Sequence, residues 1–159
     1  MNQNPMPPLV LESLNQLHTH VGREIGTTGW MQLTQERIRQ FADVSGDTQW
    51  IHVDAERARR ESPYGGTIAH GFLTLSLATH FLREAIQPPP EVRQIINYGL
   101  NRVRFPAPVR AGENIRARIA LQAYKDLTGS VEAIFNITME AQDSAKPCCV
   151  AEWLVRYFY

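Results

Sequence analysis

From Gly71 to Ile86 the chain is apolar nearly all the way round a helix. Phe72, Leu73, Leu75, Leu77, Ala78, Phe81, Leu82, Ala85 and Ile86 do not fall on one stripe. A helix without a polar face is normally buried. At about 1.5 Å per residue it would be roughly 24 Å long, enough to cross a small domain. His70, Thr74, Ser76, Thr79, His80 and Arg83 interrupt it, so it falls well short of the roughly 20 apolar residues of a membrane span. Such a helix needs a layer wrapped around it.

The C-terminal half has the pattern of that layer. Ile95 to Phe105 reads as a strand, ended by Pro106 and Pro108. Asn114 to Tyr124 alternates through Ile115, Ala117, Ile119, Leu121 and Ala123, and Val131 to Met139 alternates through Ala133, Phe135 and Ile137. Cys148 to Phe158 is the last strand, and turns fill 125–130 and 141–147. Long consecutive strands joined by short turns make an antiparallel meander. The expected class is α+β: a curled antiparallel sheet wrapped around one long buried helix, the hot-dog architecture.

Ahead of that helix, residues 1–8 carry three prolines and read as a loose arm. Val10 to Val21 has the spacing of an amphipathic helix, with Gly22 and Gly26 punctuating its end. Gly29 to Leu33 is a short strand candidate. Thr34 is placed to cap a helix from Gln35 to Val44 that turns Ile38, Phe41 and Ala42 inward. A polar helix follows near Ala55 to Glu61, then a turn at Pro63-Tyr64-Gly65-Gly66. Nothing divides the chain, and 1–159 reads as a single domain.

Charge narrows the partners. Sixteen basic residues balance sixteen acidic ones without a long basic run, so neither nucleic acid nor an anionic membrane is expected. The N-terminus has no basic region followed by an apolar core, so no signal peptide is expected. Cys148 and Cys149 are adjacent, and a disulfide between neighbours is strained. They read as small core or surface residues of a reducing compartment, with the cytoplasm as the expected home.

The chemistry concentrates just before the apolar helix. Asp47 and His52 stand five residues apart in a polar, turn-forming stretch. Together they suit general acid/base work on one water. The first N–H groups of a helix have no partner within it, and Gly71 has no side chain to block approach to its own. That N–H suits a carbonyl oxygen on which negative charge develops. Each residue also has a plain structural reading. A loop Asp or His commonly bonds nearby backbone, Gly71 allows tight packing, and Thr79 can bond to a carbonyl one turn back. His70 reads as a structural hydrogen-bonder, His80 and Arg83 as structural pairs, and His18 and His20 as solvated. Composition and spacing stop at an acid/base enzyme or a small binding domain.

The motifs are more specific together. SGDTQWIHVDAERA resembles the signature of the MaoC-like, or (R)-specific, enoyl-CoA hydratases, roughly G-D-x-N-P-(L/I/V)-H-x-D. YGGTIAHGFLTLSL is similar to that family's next segment, with I-(V/A)-H-G at the start of the hot-dog helix. INYGLNRVRFPAPVRAGENIRARIAL resembles its following strand. The likeness runs from about Leu33 to the C-terminus. It implies a hot-dog homodimer that adds water to trans-2-enoyl thioesters of coenzyme A, giving (R)-3-hydroxyacyl-CoA. By position it makes Asp47 and His52 the catalytic pair and Gly71 the thioester-oxygen donor, and it puts Thr79 where some members carry a supporting serine. It implies no metal and no cofactor beyond the coenzyme A of the substrate. Gln49 and Trp50 stand where the family usually has asparagine and proline, a form that resembles the branch of nodulation protein N-like members. Trp50 is bulky enough to narrow an acyl pocket, or simply to pack. Arg102 and Arg104, with Arg59 and Arg60, are candidates for the coenzyme A phosphates. A hot-dog thioesterase and a non-catalytic acyl-thioester binder are the competing readings.

Overall fold

A computed structural model describes residues 4–159. Residues 1–3, part of the expected arm, lie outside them. The rest of the arm is tied down, because the Met6 N–H donates to the Thr27 carbonyl at 2.8 Å.

In chain order, β1 (Leu9–Val10) leads into a 3-10 helix (Leu14–His20) and then β2 (Arg23–Thr27) and β3 (Met31–Gln32). Helices α1 (Gln35–Ser45), α2 (Trp50–Val53) and α3 (Ala55–Glu61) precede α4 (Gly71–Ser76) and α5 (Ala78–Ala85). Then come β4 (Ile86–Gln87), β5 (Gln94–Arg104), β6 (Asn114–Leu127), β7 (Ser130–Ala141) and β8 (Pro147–Phe158). The main sheet has the order β2-β6-β7-β8-β5, with β3 also on β6, and every pairing in it is antiparallel. The meander read from alternation is therefore β6-β7-β8. This is the hot-dog fold: the sheet curls around α4 and α5.

Alternation explains the core. Ile119 faces Ile137 across β6 and β7, and Phe135 faces Trp153 across β7 and β8. Ile115, Ile119, Leu121, Phe135, Met139 and the helix residue Phe81 are fully buried. Each such side chain contributes about 1.5–3 kcal/mol through burial. The alternate positions carry cross-strand ion pairs, Arg116 with Glu140 at 2.9 Å and Arg156 with Glu132 at 2.8 Å. One hydrophobic cluster runs from Leu11 to Tyr157.

Three expectations need correction. The central helix is two segments rather than one. The Ser76 hydroxyl donates to the Leu73 carbonyl at 2.7 Å, the acceptor that Leu77 would use in an unbroken α-helix. The Leu77 N–H turns to Thr74 instead, at 3.2 Å, which tightens the turn and separates α4 from α5. Nor is the helix buried all round: Phe72 is 72% exposed, and Leu75 and Leu77 are half-buried. That open side adjoins β5, an edge strand exposed on both faces. Second, the expected helix from Val10 to Val21 shrinks to the 3-10 helix, because Leu9 and Val10 pair in parallel with Ile86 and Gln87. Third, β2 was not foreseen, because Gly22 and Gly26 read as breakers. Gly26 instead lets the strand lie against α5: a Cβ there would stand 2.6 Å from the Ala85 Cβ.

No helix among the described residues is long and apolar enough to cross a membrane. Cys148 and Cys149 are both buried and free, and burial pushes their thiols up to about 12 and about 11. Both stay protonated at neutral pH and are poor nucleophiles.

Candidate active site

The site is assembled from short elements, each set by a few polar contacts. The Thr34 hydroxyl accepts from the Arg37 N–H and caps α1, as its sequence position indicated. Gly46 ends the helix at φ +75°, a left-handed conformation that favours glycine. The chain reverses there and presents Asp47, whose side chain is 53% exposed. The Gln49 carbonyl accepts the His52 N–H at 2.9 Å and starts α2, which turns the His52 ring into the protein. So His52 lies on a one-turn helix rather than in the loop expected from its neighbours.

His52 is held at both ends. Its Nδ1 donates to the Ile68 carbonyl at 2.7 Å, which leaves Nε2 as the basic nitrogen of the neutral ring. Its own carbonyl accepts from Gln35 Nε2 at 2.8 Å, and the Thr67 hydroxyl donates to Gln35 Oε1. His70 lies beside it, 3% exposed, its ring stacked on that of His52 with centroids 3.7 Å apart and planes 27° from parallel. His70 Nε2 donates to the Asp47 carbonyl at 2.9 Å and stands 4.0 Å from Asp47 Oδ2.

Asp47, His52 and His70 thus form one cluster, with a donor atom from each within 4.8 Å of the others. Sequence spacing pointed to the first two. It missed Gln35, which looked like an ordinary first-turn residue of α1. It placed His70 as a structural hydrogen-bonder without its partner, because 23 residues separate it from Asp47.

The remaining candidates lie elsewhere. Gly71 begins α4 next to His70, and a Cβ on it would come within 3.0–3.1 Å of the Phe105 ring. Thr79, on α5, lines a cavity of about 760 Å³ with Arg83, Asn97 and Trp153. A neighbouring cavity of about 420 Å³ shares Thr79, Asn97 and Trp153 and reaches Phe72 and Leu75. Trp50 is half-buried under the Arg57 guanidinium, 4.4 Å from the ring centroid, so its visible role is packing. Arg104 is exposed at the end of β5 and donates to the Val103 carbonyl. Arg102 is exposed, Arg59 pairs with Glu56, and Arg60 approaches Glu61. Among the described residues, no hydrogen bond, ion pair or ring contact joins Trp50, Thr79 or Arg104 to the histidine cluster.

The chain matches the family model described as MaoC like domain over residues 16–141. It belongs to the MaoC-like family. It is 48% identical over 147 residues to 3-hydroxyacyl-thioester dehydratase Z of Mycobacterium tuberculosis, covering 92% of this chain and 96% of that protein. It is 41% identical over 143 residues to nodulation protein N of Rhizobium meliloti, with 89% of each chain covered. Among solved structures, the MaoC-like dehydratase from Rhodospirillum rubrum superposes with a TM-score of 0.69 at 23% identity, over 92% of this chain and 96% of that one.

Proposed function

We propose that this protein is a lyase that adds water across the double bond of a trans-2-enoyl thioester of coenzyme A, giving the (R)-3-hydroxyacyl thioester, and that catalyses the reverse dehydration. The observation that carries this is the His52 imidazole, fixed at Nδ1 by a main-chain carbonyl and clustered with the Asp47 carboxylate. The 48% identical relative named as a 3-hydroxyacyl-thioester dehydratase supports the same chemistry.

In this reading Asp47 and His52 Nε2 hold one water. As its oxygen bonds to C3, the pair takes a proton and the C2–C3 π electrons shift toward the carbonyl. Gly71 N–H meets the charge that develops on the thioester oxygen. A proton then goes to C2, so the sum is one water added. The reading calls on no resident metal, because the two side chains activate the water themselves.

In this reading the acyl chain runs from Phe72, next to Gly71, along α5 through the two cavities, whose linings mix Leu82 and Ile86 with Arg83 and Glu84. A second copy of the chain would cover it. Phe72, Ile95, Ile96, Tyr98, Leu100 and Phe105 are all exposed along or beside the free edge of β5. Open edges of this kind are commonly paired across a two-fold axis. Light scattering at micromolar concentration should give twice the 18.1 kDa chain mass, and Leu100→Glu should shift it toward one copy; a monomeric wild type would contradict the dimer. The buried free thiols support a cytoplasmic home.

Loss of absorbance at the conjugated enoyl-thioester band, with crotonyl-CoA and longer enoyl-CoAs, tests the activity. Asp47→Asn and His52→Gln should each fold normally and lose roughly 100-fold or more of the rate. Near-normal turnover by the folded variants would refute the assigned pair. Release of free thiol without hydration would indicate a thioesterase, and binding without turnover an acyl-thioester carrier.

A further inference from the structure

We propose that His70 is a positioning residue for the reaction: its Nε2–H holds the loop that carries Asp47 in register with His52. The inference rests on the assignment of Asp47 and His52 above.

The loop from Gly46 to Gln49 has little else to hold it. Its other hydrogen bonds are local: the Gly46 N–H to Ala42, the Thr48 N–H to Gly46, the Asp47 N–H to Ser45 Oγ, and the Gln49 carbonyl to the His52 N–H. The contact of the Gln49 N–H with Asp47 Oδ1 is long, at 3.4 Å. Among the described residues, the bond from His70 Nε2 to the Asp47 carbonyl is the one hydrogen bond tying this loop to a distant part of the chain. The same ring stacks on His52 at 3.7 Å and meets Phe41 at 5.1 Å. One buried side chain therefore touches the loop of the acid and the ring of the base.

What histidine adds here can be separated from what any ring adds. A phenylalanine would fill the stack between Phe41 and His52. It would also spare the fold a buried nitrogen, His70 Nδ1, that has no hydrogen-bond partner among the described residues. An unsatisfied buried acceptor is a destabilising feature. The stabilising counterpart on the same ring is Nε2–H, whose acceptor is the Asp47 carbonyl. His70 and His52 consequently carry their protons on opposite nitrogens: Nε2 in His70, Nδ1 in His52.

Two variants and one spectrum test this. His70→Phe keeps a ring and loses the donor. His70→Gln loses the ring and keeps an amide N–H that reaches the Nε2 position. With crotonyl-CoA, His70→Phe should lower kcat roughly 10- to 100-fold with KM little changed, because a shift of about 1 Å in one reacting group is enough for that loss. His70→Gln should recover much of the lost kcat. Equal losses in the two variants, or near-normal kcat in His70→Phe, would overturn the proposal. The nitrogen-15 spectrum of the wild-type imidazoles needs no folded variant: it should show the Nε2–H tautomer for His70 and the Nδ1–H tautomer for His52, and the reverse at His70 would overturn it. Asp47→Asn serves as control. If it too keeps full turnover, the catalytic assignment has failed; if it is inactive while His70→Phe is not, only the positioning role has.

Discussion

The β6-β7-β8 meander and the segment from Gly46 to Gly71 are built by different means. In the meander, each buried side chain is one of many that do the same work. Ile115, Ile119, Phe135, Ile137 and Met139 repeat at alternate positions, and the register repeats with them. In the site segment, single contacts carry single duties. One bond from His70 secures the Asp47 loop, one carbonyl at Ile68 fixes the His52 tautomer, and one side chain, Gln35, bridges Thr67 to the His52 carbonyl. The sheet has a redundant interior, and the site has none. Stability and activity should therefore respond to different substitutions.

The largest effect tests the sheet. Phe135 is fully buried opposite Trp153, and Phe135→Ala should cost about 3–5 kcal/mol. Thermal unfolding should shift down by about 10 °C or more. Turnover per folded molecule should stay unchanged; a parallel loss would mean that the core couples to the site. A middle effect tests the boundary between the two regions. Gly71→Ala places a methyl group 3.0–3.1 Å from Phe105, a partly exposed ring that can swing away. Stability should fall by less than about 1 kcal/mol. Hydratase turnover should fall roughly tenfold as the approach to the Gly71 N–H narrows. A large drop in melting temperature with full turnover would instead make Gly71 a packing residue, like Gly26.

The smallest effect lies on the solvated face of the sheet. The Arg118 hydrogen bond holds the Glu24 carboxyl below its usual range. A carboxyl lowered in the folded state adds stability above its unfolded pKa, and loses it as pH falls through the folded value. Arg118 and Glu24 are 41% and 32% exposed, so solvent screens the pair and less than about 1 kcal/mol is expected. Glu24→Gln should lower the melting temperature slightly at pH 7, and the gap should close below about pH 4. A gap that widens in acid would break the linkage.

The same contrast separates what was legible in the sequence from what was not. Alternation marked the meander to within a few residues, because a strand between core and solvent writes its geometry with period two. Thr34 marked the start of α1, since a cap acts within one turn of the chain. Motifs and their order marked Asp47 and His52, which the fold brings into one cluster. The break at Leu77 was not legible, because it turns on which of two donors wins the Leu73 carbonyl. Nor was β2, because a glycine that lets strand and helix touch reads like one that ends a helix.

By itself, then, the sequence determined the periodic elements, their local caps and the motif that carries Asp47 and His52. Each of these depends on neighbours along the chain. Only the tertiary structure decided that His70 and Gln35 lie against His52, that the central helix has an open side, and that β5 is an edge. Those depend on contacts between residues tens of positions apart, where spacing carries no signal and packing makes the choice.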